Sequence, residues 1–122
     1  MLLGDFFLLI YAEQTIDTIT AKLRFNKNHE IFKGHFPEQP VVPGVCMLQI
    51  IKEMIENSTG GKFILRSAES IKFLTVINPE VQNEVEARIQ FRKDEIENLH
   101  VDASLFSGTL VFFKFNGTFK PE

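Results

Sequence analysis

Residues 34–49 read Gly34-His35-Phe36-Pro37-Glu38-Gln39-Pro40-Val41-Val42-Pro43-Gly44-Val45-Cys46-Met47-Leu48-Gln49, with three prolines, two glycines and one histidine directly ahead of an apolar run. Proline fixes φ and lacks an N–H, so these residues cannot form a regular helix or a central strand before Pro43. Pro43 itself suits the first turn of a helix, where the missing N–H leaves no hydrogen bond unmade. The spacing therefore predicts a helix from about Pro43 to about Asn57, stopped by Ser58-Thr59-Gly60-Gly61. Its first two turns are apolar on nearly every side, and Lys52, Glu53 and Glu56 come only later. Such a helix is expected to be wrapped at its start and to emerge at its end.

Outward from that helix the pattern is one of strands. Upstream, Ala21, Leu23 and Phe25 alternate with Lys22 and Arg24, a half-buried strand, preceded by an edge or hairpin strand over about Phe6 to Glu13. Downstream, Phe63 to Ile77 alternates imperfectly. Val85, Ala87, Ile89 and Phe91, then Leu99, Val101, Ala103 and Leu105, alternate cleanly, and Val111, Phe113 and Phe115 close the series. Arg92-Lys93-Asp94-Glu95 and Ser107-Gly108 read as hairpin turns. One buried helix among these strands has only the sheet to pack against, so the sheet must curl around it. The expected class is α+β, a single domain over residues 1–122.

Composition narrows the function. The 122 residues carry a net charge of -3, 44% apolar residues and 13 phenylalanines against one tyrosine, which indicates a dry, bulky core and gives no electrostatic case for nucleic acid. A single cysteine, Cys46, cannot form an internal disulfide, and a cytoplasmic location is the default expectation. The apolar start lacks a basic n-region, and its unbroken part, Phe6 to Ala12, is far shorter than the roughly 20 residues of a membrane helix, so a buried strand is expected there and no membrane partner.

The chemistry lies at the helix start. Gly44, Val45 and Cys46 carry N–H groups with no helical acceptor, and the helix dipole adds partial positive charge. Gly44 has no side chain to shield those donors, so a thioester carbonyl could be polarised against them. His35, fixed between Gly34 and Pro37, has the side chain best suited to act as a base near neutrality. Cys46 in apolar surroundings reads as an inert core residue, His29 as a loop surface residue, and His100 with Asp102 as a solvated pair on one strand face.

Phe32 through Val45, with its GHFP and P-V-x-P-G-V pieces at this spacing, resembles the signature of the hotdog-fold 3-hydroxyacyl-(acyl-carrier-protein) dehydratases, the FabZ/FabA-like family. The resemblance extends from Phe6–Ile10 to Phe73-Leu74-Thr75-Val76-Ile77-Asn78-Pro79. It implies a hotdog fold, a curved antiparallel sheet wrapped around one long central helix, and homodimers whose active sites draw on both subunits, with higher assembly left open. It implies that His35 removes the proton next to the thioester, that the Gly44 amide binds the carbonyl, and that Phe36, Pro43, Val45 and Glu53 contact substrate. No cofactor or metal is implied. The family's helix acid falls on Gln49, which can donate and accept hydrogen bonds but has no proton to give at neutral pH. Glu53, one turn further, meets a shifted substrate or reaches solvent; Lys52 and Glu56 favour solvent.

The leading expectation is a dehydratase or hydratase of 3-hydroxyacyl thioesters on coenzyme A or acyl carrier protein, in fatty-acid or polyketide-type biosynthesis. An acidic carrier would need a local basic patch, for which Lys62, Arg66 and Lys72 are candidates. Two alternatives stand beside it. One is a hotdog thioesterase, whose water would need Glu53 or Glu38; the other is a catalytically weakened subunit that binds an acyl chain or a partner protein.

Overall fold

The structure is a computed structural model and describes residues 1–34 and 40–122. In chain order the elements are β1 (Phe7–Gln14), β2 (Thr18–Phe25), a short α1 (Glu30–Gly34), α2 (Gly44–Thr59), β3 (Phe63–Phe73), β4 (Glu84–Lys93), β5 (Leu99–Ser107) and β6 (Leu110–Pro121). The strands form one six-stranded sheet in the order β1-β2-β4-β5-β6-β3. Every neighbouring pair is antiparallel.

The clean alternations select the inner face as expected. Ala21 and Leu23, Val85, Ala87 and Ile89, and Leu99, Val101, Ala103 and Leu105 are all buried. Against them α2 lays Cys46, Met47, Ile50, Ile51, Met54 and Ile55, a stripe at helical spacing. Each such side chain contributes about 1.5–3 kcal/mol by leaving water. The helix ends where the glycines place it: Gly60 takes a left-handed φ of 77° and its N–H donates to Glu56 O at 2.9 Å.

The expected direction of burial along α2 is reversed. Val45 in its first turn is 76% exposed, whereas Glu53 and Glu56 are only 1% and 7% exposed. Both carboxylates are drawn in because backbone donors meet them. Glu56 Oε2 accepts the Phe63 N–H at 2.9 Å and lies 3.5 Å from Lys52 Nζ, while Glu53 is held by the first residues of the chain. Charge can be buried at this cost when hydrogen bonds replace water.

Other expectations are corrected in detail. β1 is buried only at Phe7 and otherwise forms a sheet edge with Leu8, Ile10 and Tyr11 exposed. β3 stops at Phe73 instead of Ile77, because the Leu74 and Thr75 N–H groups both donate to Phe112 O and the ladder cannot advance. The β4–β5 turn starts later, at Asp94, whose Oδ1 accepts the Ile96 and Asn98 N–H groups. His100 Nε2 pairs with Asp94 Oδ2 at 2.9 Å, so its partner is Asp94 and not Asp102. The hydrogen bond with His100, followed by those from the turn, lowers the Asp94 carboxyl below its ordinary value. Its stabilising effect is present at neutral pH and is lost as pH falls through that lowered value.

The region before the proline-rich stretch holds α1, which the sequence pattern does not reveal. His29 is a loop residue, half-buried rather than freely solvated: its Nδ1 accepts the Ile31 N–H at 3.1 Å and its Nε2 meets Asp5 Oδ2 at 3.1 Å. With Nδ1 accepting, Nε2 carries the proton and donates to Asp5. Phe32 of α1 packs on Phe6 with ring centres 5.0 Å apart.

Gly117 on β6 marks the tightest inner packing. A Cβ there would stand 2.6 Å from Ser67 O and would also meet the Phe115 ring. A carbonyl in a β-ladder cannot yield, so Gly117→Ala should destabilise the fold by about 1–3 kcal/mol, read as a lowered midpoint in urea with an unchanged slope.

Candidate active site

Pro43 precedes α2 in extended backbone, φ −62° and ψ 145°, and is therefore its cap rather than its first helical residue. The approach to it is anchored: Val42 is buried and its N–H donates to Ile77 O at 2.8 Å. The described half of the proline-rich stretch thus fixes the helix start against the β3–β4 connection. Pro43 O accepts the Cys46 N–H at 3.0 Å and the Met47 N–H at 3.2 Å. Of the three amides expected to be free, Cys46 is therefore engaged. Among the described residues, Gly44 and Val45 N–H meet no acceptor.

These two amides border a cleft of about 580 Å³, lined by Val41, Val42, Pro43, Gly44, Val45 and Met47 on one side and by Phe73, Leu74, Thr75 and Val76 on the other. The Phe73 ring lies directly over Gly44, where a Cβ would stand 2.8 Å from it. Glycine is thus required at 44 by the approach of an aromatic ring, in addition to leaving the donors open. Phe73 rests in turn on buried Phe113, ring centres 5.4 Å apart. The cleft offers an apolar wall beside two hydrogen-bond donors at the positive end of a helix, a setting suited to a carbonyl attached to an acyl chain.

Gln49 is one turn beyond Val45 on the same helix face. Its Nε2 donates to Glu53 Oε2 at 2.8 Å. The Leu2 N–H donates to both Glu53 oxygens, at 2.8 and 2.9 Å, and the Leu3 N–H to Oε1 at 2.7 Å. Every polar contact of Glu53 is thus one in which it accepts. The expectation that Glu53 reaches solvent is overturned, because its carboxylate is inside and accepts from the Leu2, Leu3 and Gln49 donors.

Of the sequence-derived site, Pro43, Gly44 and Val45 come together in the cleft. His35 and Phe36, like Pro37 and Glu38, lie outside the described residues. Phe73, Leu74 and Val76 are cleft residues that the alternation could not single out. Their signal is the run Phe73-Leu74-Thr75-Val76-Ile77 after Lys72, apolar but for Thr75, which no inner-outer pattern explains. Lys62, Arg66 and Lys72 are exposed, on or just before edge strand β3. Among the described residues, no helix is long and apolar enough to cross a membrane. Cys46 is buried, and burial first, then the nearby Glu53 carboxylate, pushes its thiol up from the ordinary value. The thiolate is the reactive form. At pH 8 Cys46 should therefore react with a thiol-specific disulfide reagent at least about tenfold more slowly than in urea-unfolded chain; equal rates would contradict this burial.

Comparisons with known proteins agree with this architecture. The sequence model described as ApeI-like, ApeI dehydratase, matches residues 11–108. A 3-hydroxyacyl-(acyl-carrier-protein) dehydratase FabZ of Streptococcus equi subsp. zooepidemicus is 32% identical over 112 residues, 82% of this chain and 80% of that protein. The FabZ of Lactococcus lactis subsp. cremoris is 28% identical over 108 residues, 79% of this chain and 75% of that protein. In fold, the chain is similar to the dehydratase heterocomplex ApeI:P from Xenorhabdus doucetiae, with a TM-score of 0.72, 20% identity and coverage of 91% of this chain and 96% of that one. An uncharacterized protein from Erwinia carotovora subsp. atroseptica matches with a TM-score of 0.60 at 21% identity, covering 94% and 92%. The sheet curled about α2 is the hotdog fold, and the chain belongs to the ApeI-like dehydratase family.

Proposed function

We propose that the chain dehydrates 3-hydroxyacyl thioesters to the 2-enoyl thioesters, or hydrates them in reverse, in fatty-acid or polyketide-type biosynthesis. The observation that carries this reading is the pair of amides, Gly44 and Val45, that no acceptor meets among the described residues and that border an apolar cleft in a member of a dehydratase family. The thioester carbonyl accepts from these donors, and the enolate that forms when C2 loses its proton is stabilised there by a few kcal/mol. His35 takes that proton. The electron pair becomes the C2–C3 double bond as the C3–O bond breaks. Gln49 has no proton to supply, so in this reading the departing hydroxyl takes back the proton held by His35 and leaves as water, restoring the base.

The acyl chain lies along the Phe73–Val76 wall. The FabZ relatives are named for substrates on acyl carrier protein, and we assign the same carrier class here. A homodimer joined along β3 is our reading of its unpaired edge and of exposed Ile64, Ile71, Phe73, Leu74 and Val76. We place the protein in the cytoplasm, in keeping with a lone, unpaired cysteine.

A second reading, a weakened subunit completed by another chain, is favoured by the amide at position 49. The name of the Xenorhabdus complex is that of a dehydratase heterocomplex. The thioesterase reading loses Glu53, whose oxygens are occupied by N–H donors.

The purified chain should interconvert a 3-hydroxyacyl thioester and its enoyl counterpart, followed by ultraviolet absorbance, and His35→Ala should abolish this. Release of free thiol would point to the thioesterase, and no reaction of either kind to the weakened subunit. Gln49→Glu restores a carboxyl group but sets it against Glu53, where two like charges must share a proton. Exchanging the pair, Gln49→Glu with Glu53→Gln, keeps the hydrogen bond without that conflict. The exchange should raise the dehydration rate by about 10²-fold, and Gln49→Glu alone by less. Unchanged or lower rates in both variants would place the acid position elsewhere.

A further inference from the structure

We propose that Glu53 is a positioning residue that fixes Gln49 as a hydrogen-bond acceptor toward the cleft, so that the substrate's 3-hydroxyl donates to Gln49 Oε1. The inference rests on the thioester reading above and adds the polarity of the site to it.

A carboxylate accepts only, so the nitrogen of the Gln49 amide must face Glu53, and the 2.8 Å contact fixes which end of that amide is turned away. Glu53 cannot swing to release it. It is 1% exposed, and its two oxygens are tied to the Leu2 and Leu3 N–H groups by three contacts of 2.7–2.9 Å. What Gln49 has left is its carbonyl oxygen, which no donor meets among the described residues. Gln49 follows Val45, a residue of the cleft lining, by one helical turn. A substrate group near that oxygen must donate. A 3-hydroxyl can; a 3-oxo group, an acceptor only, faces an acceptor and is rejected.

Glu53→Gln inverts this polarity while keeping the shape. The new amide oxygen takes the Leu2 and Leu3 N–H groups, which leaves its NH2 facing Gln49. Gln49 must then offer Oε1 inward and turn its own NH2 toward the cleft. The probes are the 3-hydroxyoctanoyl and 3-oxooctanoyl thioesters of N-acetylcysteamine, with binding measured by titration calorimetry on the full chain. The native protein should prefer the hydroxy compound by roughly tenfold, the scale of one hydrogen bond made or unmade. Glu53→Gln should reverse the preference toward the oxo compound, and Gln49→Leu should remove it. An unchanged ratio, or equal weakening of both ligands as a merely structural role would give, overturns the proposal. Failure of both to bind the native protein overturns the thioester reading and this inference with it, so the two failures are distinct. Should Glu53→Gln not fold, the native protein decides alone: one Gln49 side-chain amide proton should resonate downfield of free glutamine, and its absence overturns the contact.

Discussion

The burial of α2 is the constraint on which the rest depends. Its stripe from Cys46 to Ile55 needs apolar partners, and a flat sheet would touch only one side of it. Six antiparallel strands can reach around a helix by curling, with the inner residues of β2, β4, β5 and β6 as the lining. Phenylalanines on β6 fill the remaining volume, and Gly117 marks where that filling leaves no room for a methyl group.

The same arrangement creates the site. A helix inside a curled sheet must enter somewhere, and its first turn is where the unengaged N–H groups are. Pro43 holds the approach extended, the Val42–Ile77 hydrogen bond fixes its position, and Phe73 closes over Gly44. An apolar wall and two donors then meet at one place. Further along the helix, Glu53 would be an unpaired buried charge without the Leu2, Leu3 and Gln49 donors. The burial of Glu53 and the orientation of the Gln49 amide are thus linked through a single carboxylate.

Much of this was legible along the chain. Alternation at Val85–Ile89 and Leu99–Leu105 revealed both strand and buried face, because a strand with one wet side repeats every second residue. The stop at Gly60 followed from backbone conformation alone. Elements governed by contacts between distant segments were not legible. The short α1, the end of β3 at Phe73 and the His100–Asp94 pair depend on partners that spacing does not reveal. The fate of Glu53 is the clearest case: beside Lys52 and Glu56 it looks solvated, and only the arrival of the Leu2 and Leu3 backbone, some 50 residues away, makes its burial affordable.

The sequence by itself determined the helix, its proline-fixed start and the strand faces, since each is a local consequence of side-chain shape, backbone freedom or periodicity. Tertiary structure decided which amides stay free, which ring covers Gly44 and which way the Gln49 amide faces. Those outcomes depend on hydrogen-bond partners brought from other strands, and a donor or acceptor has no direction until its partner is in place.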